Sequence, residues 1–119
     1  MGSSGFIEGL MLETHNFGKT VAFWQQLGWN LVFETDHHSG RLEHSDGGPW
    51  LFVAEIEPDR APELLPIIHV EDADSFEPPA AGSVDQEFVA QHWNVLEMLL
   101  RDPDGRRHSV QVPTRESAS

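Results

Sequence analysis

Apolar and polar positions alternate along most of the chain, and one early stretch switches to a helical period. Phe6 to Thr14 alternates loosely between Gly5 and Asn16, as a strand does. From Asn16 the spacing changes: Phe17, Thr20, Val21 and Trp24 fall on one helical face. Asn16 suits the N-cap, because its side chain can accept from a free backbone N–H, and Gly28 is expected to end the helix as its C′ residue. Three strands follow, Trp29 to Thr35, Arg41 to His44 and Trp50 to Ile56, separated by polar turns at Asp36 to Gly40 and Ser45 to Gly48.

A linker with Pro58 and Pro62 opens the second half, and Leu65 to Val70 reads as its first strand. No second helix is expected. Ala73 to Gln86 contains Pro78, Pro79 and Gly82, each costly inside a helix. Glu87 to Trp93, Asn94 to Arg101 and Arg107 to Val112 complete the strands. The last two flank Asp102-Pro103-Asp104-Gly105, in which Pro suits the first central turn position and Gly a positive φ. The uncovered second half predicts an apolar face that needs a cover, for which a partner subunit is expected. Met1 to Gly5 reads either as the remnant of an added tag or as a frayed native end, and Thr114 to Ser119 as a frayed tail.

Two of these stretches together carry a resemblance. Phe23-Trp24-Gln25-Gln26-Leu27-Gly28-Trp29 closes the helix, and Trp93-Asn94, Met98 and Leu100 precede the Asp-Pro-Asp-Gly turn. In that order they resemble the vicinal oxygen chelate superfamily, which includes glyoxalase I, extradiol dioxygenases and bleomycin-resistance proteins. The resemblance implies an α+β fold of paired βαβββ half-units forming a curved, cup-like mixed sheet, here with the second half lacking most of its helix. It implies one domain over residues 1–119, with half-units at about 6–57 and 64–113, and a homodimer.

Enzymes of that superfamily hold a divalent metal with His and Glu from four strands. Counted from the motifs, the corresponding positions here are Gly9, Phe52, Leu65 and Ser109, with Phe52 the least firmly placed. Gly, Leu and Phe offer no lone pair and Ser is a poor ligand. The resemblance therefore brings the fold without the metal: no metal site, cofactor or catalytic residue is expected. It points to the metal-free, bleomycin-resistance-like members.

The same positions set the strand parity that faces the cup. That set includes Gly9, Met11 and Glu13; Trp50, Phe52 and Ala54; Leu65, Ile67 and His69; Glu97 and Leu99; and Arg107, Ser109 and Gln111. The opposite parity, Leu10, Leu12, Leu51, Val53, Ile68, Val70, Val110 and Val112, is apolar and reads as core. Met11, Glu13, Trp50, Phe52, Ile67, His69, Arg107, Ser109 and Gln111 are the candidate ligand-binding residues. Taken singly, each suits core filling as well as a pocket; Glu13, for instance, can pair internally with Arg107. As a set they mix aromatic walls with polar groups, which suits a small-molecule site.

Composition narrows the reading. A chain of 119 residues suits one domain, and 39% hydrophobic with 23% charged residues is globular. No cysteine excludes disulfides and thiolate chemistry. The formal charge of −13 disfavours nucleic acid and, where acids line a pocket, favours a cationic guest. No run has the length of a membrane span and no signal peptide is seen, so a cytoplasmic protein is expected. The function expected is metal-independent binding of a small molecule, sequestering a cationic aromatic antibiotic or natural product. The alternative is a divergent lyase, isomerase or dioxygenase, with a metal relocated to His38, His44 or His69 or with acid–base chemistry by Glu13 and His69. A closed scaffold without a ligand is the third.

Overall fold

The computed structural model describes residues 4–114. The expectations for Met1 to Ser3 and for residues 115–119 lie outside the described residues. In order, the elements are β1 (Phe6–Thr14), α1 (Phe17–Gln25), β2 (Trp29–Glu34), β3 (Ser39–His44), β4 (Trp50–Glu55), β5 (Leu64–His69), β6 (Ser83–Gln91), β7 (Val95–Arg101) and β8 (Arg107–Pro113). The chain is α+β, and its strands pair in both senses, as a mixed sheet requires. It divides into two compact units. One is Gly9–Leu64; the other joins the residues before Gly9 to those from Leu65 onward.

In the first unit β4 lies between β1, its parallel neighbour, and β3, its antiparallel one, and β2 forms the outer edge on β3. Helix α1 begins where its cap predicts: the Asn16 side chain accepts from the Lys19 N–H, 2.9 Å away. Its end differs from expectation. The C-cap is Gln26, so Gly28 stands two residues further on, at φ 94°, and its N–H reaches the Gln25 carbonyl at 3.0 Å. Phe17 and Val21 from the helix pack with Leu42, Leu51 and Val53, and Leu10, Leu12, Trp24, Trp29 and Leu31 surround them. The apolar parity expected on β1 and β4 is the one under the helix.

In the second unit β8 lies between β5, parallel, and β7, antiparallel, with β6 outermost. The core gathers Val70, Met98, Leu100, Val110 and Val112. No helix covers this face among the described residues. Ala73 and Phe76, from the segment between β5 and β6, pack on it instead, and the Phe76 ring meets Phe88 edge-on at 6.0 Å. The prolines keep that segment out of a helix without leaving the core bare, so this face supplies no argument for a partner subunit.

Strand β3 begins at Ser39, two residues before the expected Arg41, so Ser39 and Gly40 are strand rather than turn. Strand β6 begins at Ser83, four residues before the expected Glu87, and ends at Gln91 rather than Trp93. Gln91 to Asn94 form the turn into β7, with Asn94 at φ 65°. Strand β1 has the expected bounds, and its residues belong to both units, Phe6 to Glu8 to one and Gly9 to Thr14 to the other. The last hairpin is as expected: Gly105 sits at φ 84°, and its N–H reaches the Asp102 carbonyl at 2.9 Å.

Candidate functional site

The parallel ladders of the two units share a register. Met11 stands opposite Phe52 in the first, and Ile67 opposite Ser109 in the second. Phe52 therefore holds, two residues past Gly9, the place that Ser109 holds two residues past Leu65.

None of the four offers a metal ligand. Gly9 is buried, and a side chain there would run into the Trp50 indole. Phe52 and Leu65 carry hydrocarbon only. The Ser109 hydroxyl donates to Glu97 Oε2 at 2.5 Å and accepts from Gln111 Nε2 at 2.9 Å. Among the described residues, no three or more His, Asp or Glu side chains gather as a metal site requires. The residues present do not fit the ion that the fold's enzymes hold.

The candidate residues of the first unit share one face, arranged in rows across the strands. Arg41, Phe52 and Met11 are aligned on β3, β4 and β1, and Ser39, Ala54 and Glu13 form the next row. Trp50 lies beside Gly9, its ring over the glycine. The Arg41 guanidinium stacks on that indole, 4.4 Å from the ring centroid, while its Nε donates to Glu43 Oε2 at 2.8 Å. Glu13 is almost enclosed, with 8% of its side chain exposed. Its two oxygens accept from Arg60 Nη1 and Nη2 at 2.9 and 3.1 Å, and Oε1 also accepts from the Glu63 N–H at 3.1 Å. The internal partner of Glu13 is thus Arg60, from the linker, and not Arg107. That pairing, with a further bond to Glu57, raises the Arg60 pKa and lowers that of Glu57.

In the second unit His69, Gln111 and Glu97 form one row, and Ile67, Ser109 and Leu99 the next. A polar chain links both rows. Gln91 Nε2 donates to Glu97 Oε1 at 3.0 Å, Ser109 to the other oxygen, and Gln111 to Ser109. Ser109 and Gln111 are 4% and 8% exposed, so these bonds replace water. His69 Nδ1 lies 3.0 Å from Glu8 and Nε2 3.5 Å from Glu71, with Phe6 against its ring. Arg107 stands opposite Arg101 in the hairpin.

The histidines proposed for a relocated metal are apart in their bonding. The His44 ring meets Trp29 edge-on and its Nδ1 accepts from the Asp46 N–H; His38 is exposed at φ 56°. Sequence reasoning missed Arg41, Arg60 and Glu8. Alternation on β3 held the signal for Arg41, since Arg41 and Glu43 share a parity; Arg60 and Glu8 are fixed by long-range packing that no local pattern encodes.

No family model and no curated protein matches the sequence. Solved structures do match. One is a glyoxalase/bleomycin resistance protein/dioxygenase superfamily member from Vibrio splendidus 12B01, at 11% identity, covering 92% of this chain and 98% of that one with a TM-score of 0.61. Another is a glyoxalase/bleomycin resistance protein/dioxygenase from Nocardioides, at 16% identity and 97% and 87% coverage, with a TM-score of 0.41. A bleomycin resistance determinant encoded on the transposon Tn5 matches at 21% identity and 87% and 93% coverage, with a TM-score of 0.36. The first of these shows the fold: the chain is folded as that superfamily member is.

Proposed function

We propose that this protein binds a small organic molecule without a metal, in the manner of the non-catalytic members of that superfamily. The observation that carries the reading is the state of the four ligand positions: a glycine covered by an indole, two hydrocarbon side chains, and a hydroxyl committed to Glu97. In the first unit the surroundings are aromatic with a polar edge, Trp50 and Phe52 beside Arg41; in the second they are the amide and hydroxyl of Gln111 and Ser109. Such a mixture orients an organic guest rather than an ion. Sequestration of a toxic natural product is the role this suits, in the cytoplasm and as a homodimer. The acids expected to attract a cation are already engaged, Glu13 by Arg60 and Glu97 by Gln91 and Ser109. A cationic guest therefore draws its support from the overall charge of −13 alone.

The test is a thermal-shift screen of the full chain, stripped with chelator, against amphipathic aromatic compounds including a bleomycin. A saturable shift that survives chelation is expected. Binding or turnover that appears only when a divalent metal is restored overturns the reading in favour of a divergent enzyme. Light scattering at micromolar concentration tests the homodimer, for which a monomer's mass is the contrary result.

A further inference from the structure

We infer that the guest carries a carboxylate on an aromatic or apolar body, and that Arg41, laid flat on Trp50, is the group that takes it. This rests on the small-molecule reading above and reverses the sign of charge that composition suggests. Three observations meet at Arg41. Its guanidinium is fixed in plane by the indole beneath it. Gly9 makes that possible, because only a residue without a side chain lets the indole lie down on β1. Glu43 takes the Nε edge alone, and among the described residues no hydrogen-bond partner engages Nη1 or Nη2.

A guanidinium stacked on an aromatic ring keeps its donors in the plane, pointing outward. The Nη1–Nη2 edge matches the two oxygens of a carboxylate. The side chain is 39% exposed, so this edge is within reach of a solute. The surroundings favour an apolar body behind the acid. Phe33, 56% exposed, is paired with Arg41 on one side, and Phe52 stands opposite it on the other. Among the described residues, the other arginine bonded to this face, Arg60, is spent on Glu13 and Glu57.

Isothermal titration of the full chain with benzoate, benzyl alcohol and benzylamine tests this, using Arg41→Gln and Arg41→Lys variants whose fold is checked by circular dichroism. Benzoate is expected to bind saturably and the other two at least about tenfold more weakly, since a charge-assisted bidentate pair is lost. Arg41→Gln should abolish the preference for the acid. Arg41→Lys should weaken benzoate by about tenfold, because a point charge lacks the fork. Equal affinity for the alcohol, tighter binding of the amine, or benzoate affinity unchanged in Arg41→Gln overturns the inference while leaving small-molecule binding intact. No binding of any of the three by the wild-type protein, with the natural-product screen positive, overturns it as well; a negative screen removes the broader reading too.

Discussion

The Trp50 indole occupies the space that a side chain at Gly9 would need, and this pair closes the first of the four positions where the resemblance led us to look for a metal ligand. Gly9→Ala should therefore destabilise the protein by about 1–3 kcal/mol, the range for overpacking a close-packed site. Chemical denaturation measures it. Adding Trp50→Ala should recover part of the loss, because the clash and its cause then disappear together. Gly9→His should lower stability without conferring zinc binding, read by elemental analysis after dialysis.

Arg60 holds the linker against β1 through the nearly enclosed Glu13 carboxylate. Arg60→Ala strips two charge-assisted bonds from that group and leaves only the Glu63 N–H. A loss of stability is expected, since an enclosed carboxylate left short of its partner is costly. Arg60→Ala with Glu13→Gln should be milder than Arg60→Ala alone. A double-mutant cycle by thermal denaturation supplies the comparison.

Ser109 joins Glu97 to Gln111 at a buried point of β8. Ser109→Ala leaves both neighbours short of a partner, and about 1–3 kcal/mol of stability should go with it. The same change should leave the neighbouring Met98–Val110 pairing of β7 and β8 intact, as amide hydrogen exchange would report.

Asp102 anchors the final hairpin. The bond from His108 Nε2, at 3.0 Å, does most to hold its carboxyl down at about pKa 2, helped by the backbone N–H groups of Arg106 and Asp104 and the charge of Arg106. A depressed carboxyl stabilises the fold above its unfolded pKa, near 3.8, and ceases to do so as pH falls through its folded value. The stability gap between wild type and Asp102→Asn should thus be full above about pH 4 and shrink between pH 4 and 2. Denaturation at a series of acid pH values checks the sign: a gap that widens on acidification contradicts it.

The fold was legible where local rules act alone. The bounds of β1, the Asn16 cap and the Pro-Asp-Gly turn all follow from nearest-neighbour chemistry, and the observed bounds of β1 are the expected ones. The parity of the core followed from alternation, which the packing of Leu51, Val53, Val110 and Val112 repeats. Legibility failed where the outcome depended on distant groups. No local pattern says that Phe76 covers the second core, that Arg60 reaches Glu13, or that Arg41 lies over Trp50. The start of β6 was misplaced because Ser83 to Gln86 are polar enough to read as loop, while Val84 and Gln86 pair with Leu100 and Leu99.

Strand β1 belongs to both units, Phe6 to Glu8 to one and Gly9 to Thr14 to the other. Glu8 meets His69 across 61 positions of sequence, so a cut between Glu8 and Gly9 would cost the unit from Leu65 onward a bonded side chain while leaving the core of Gly9–Leu64 whole.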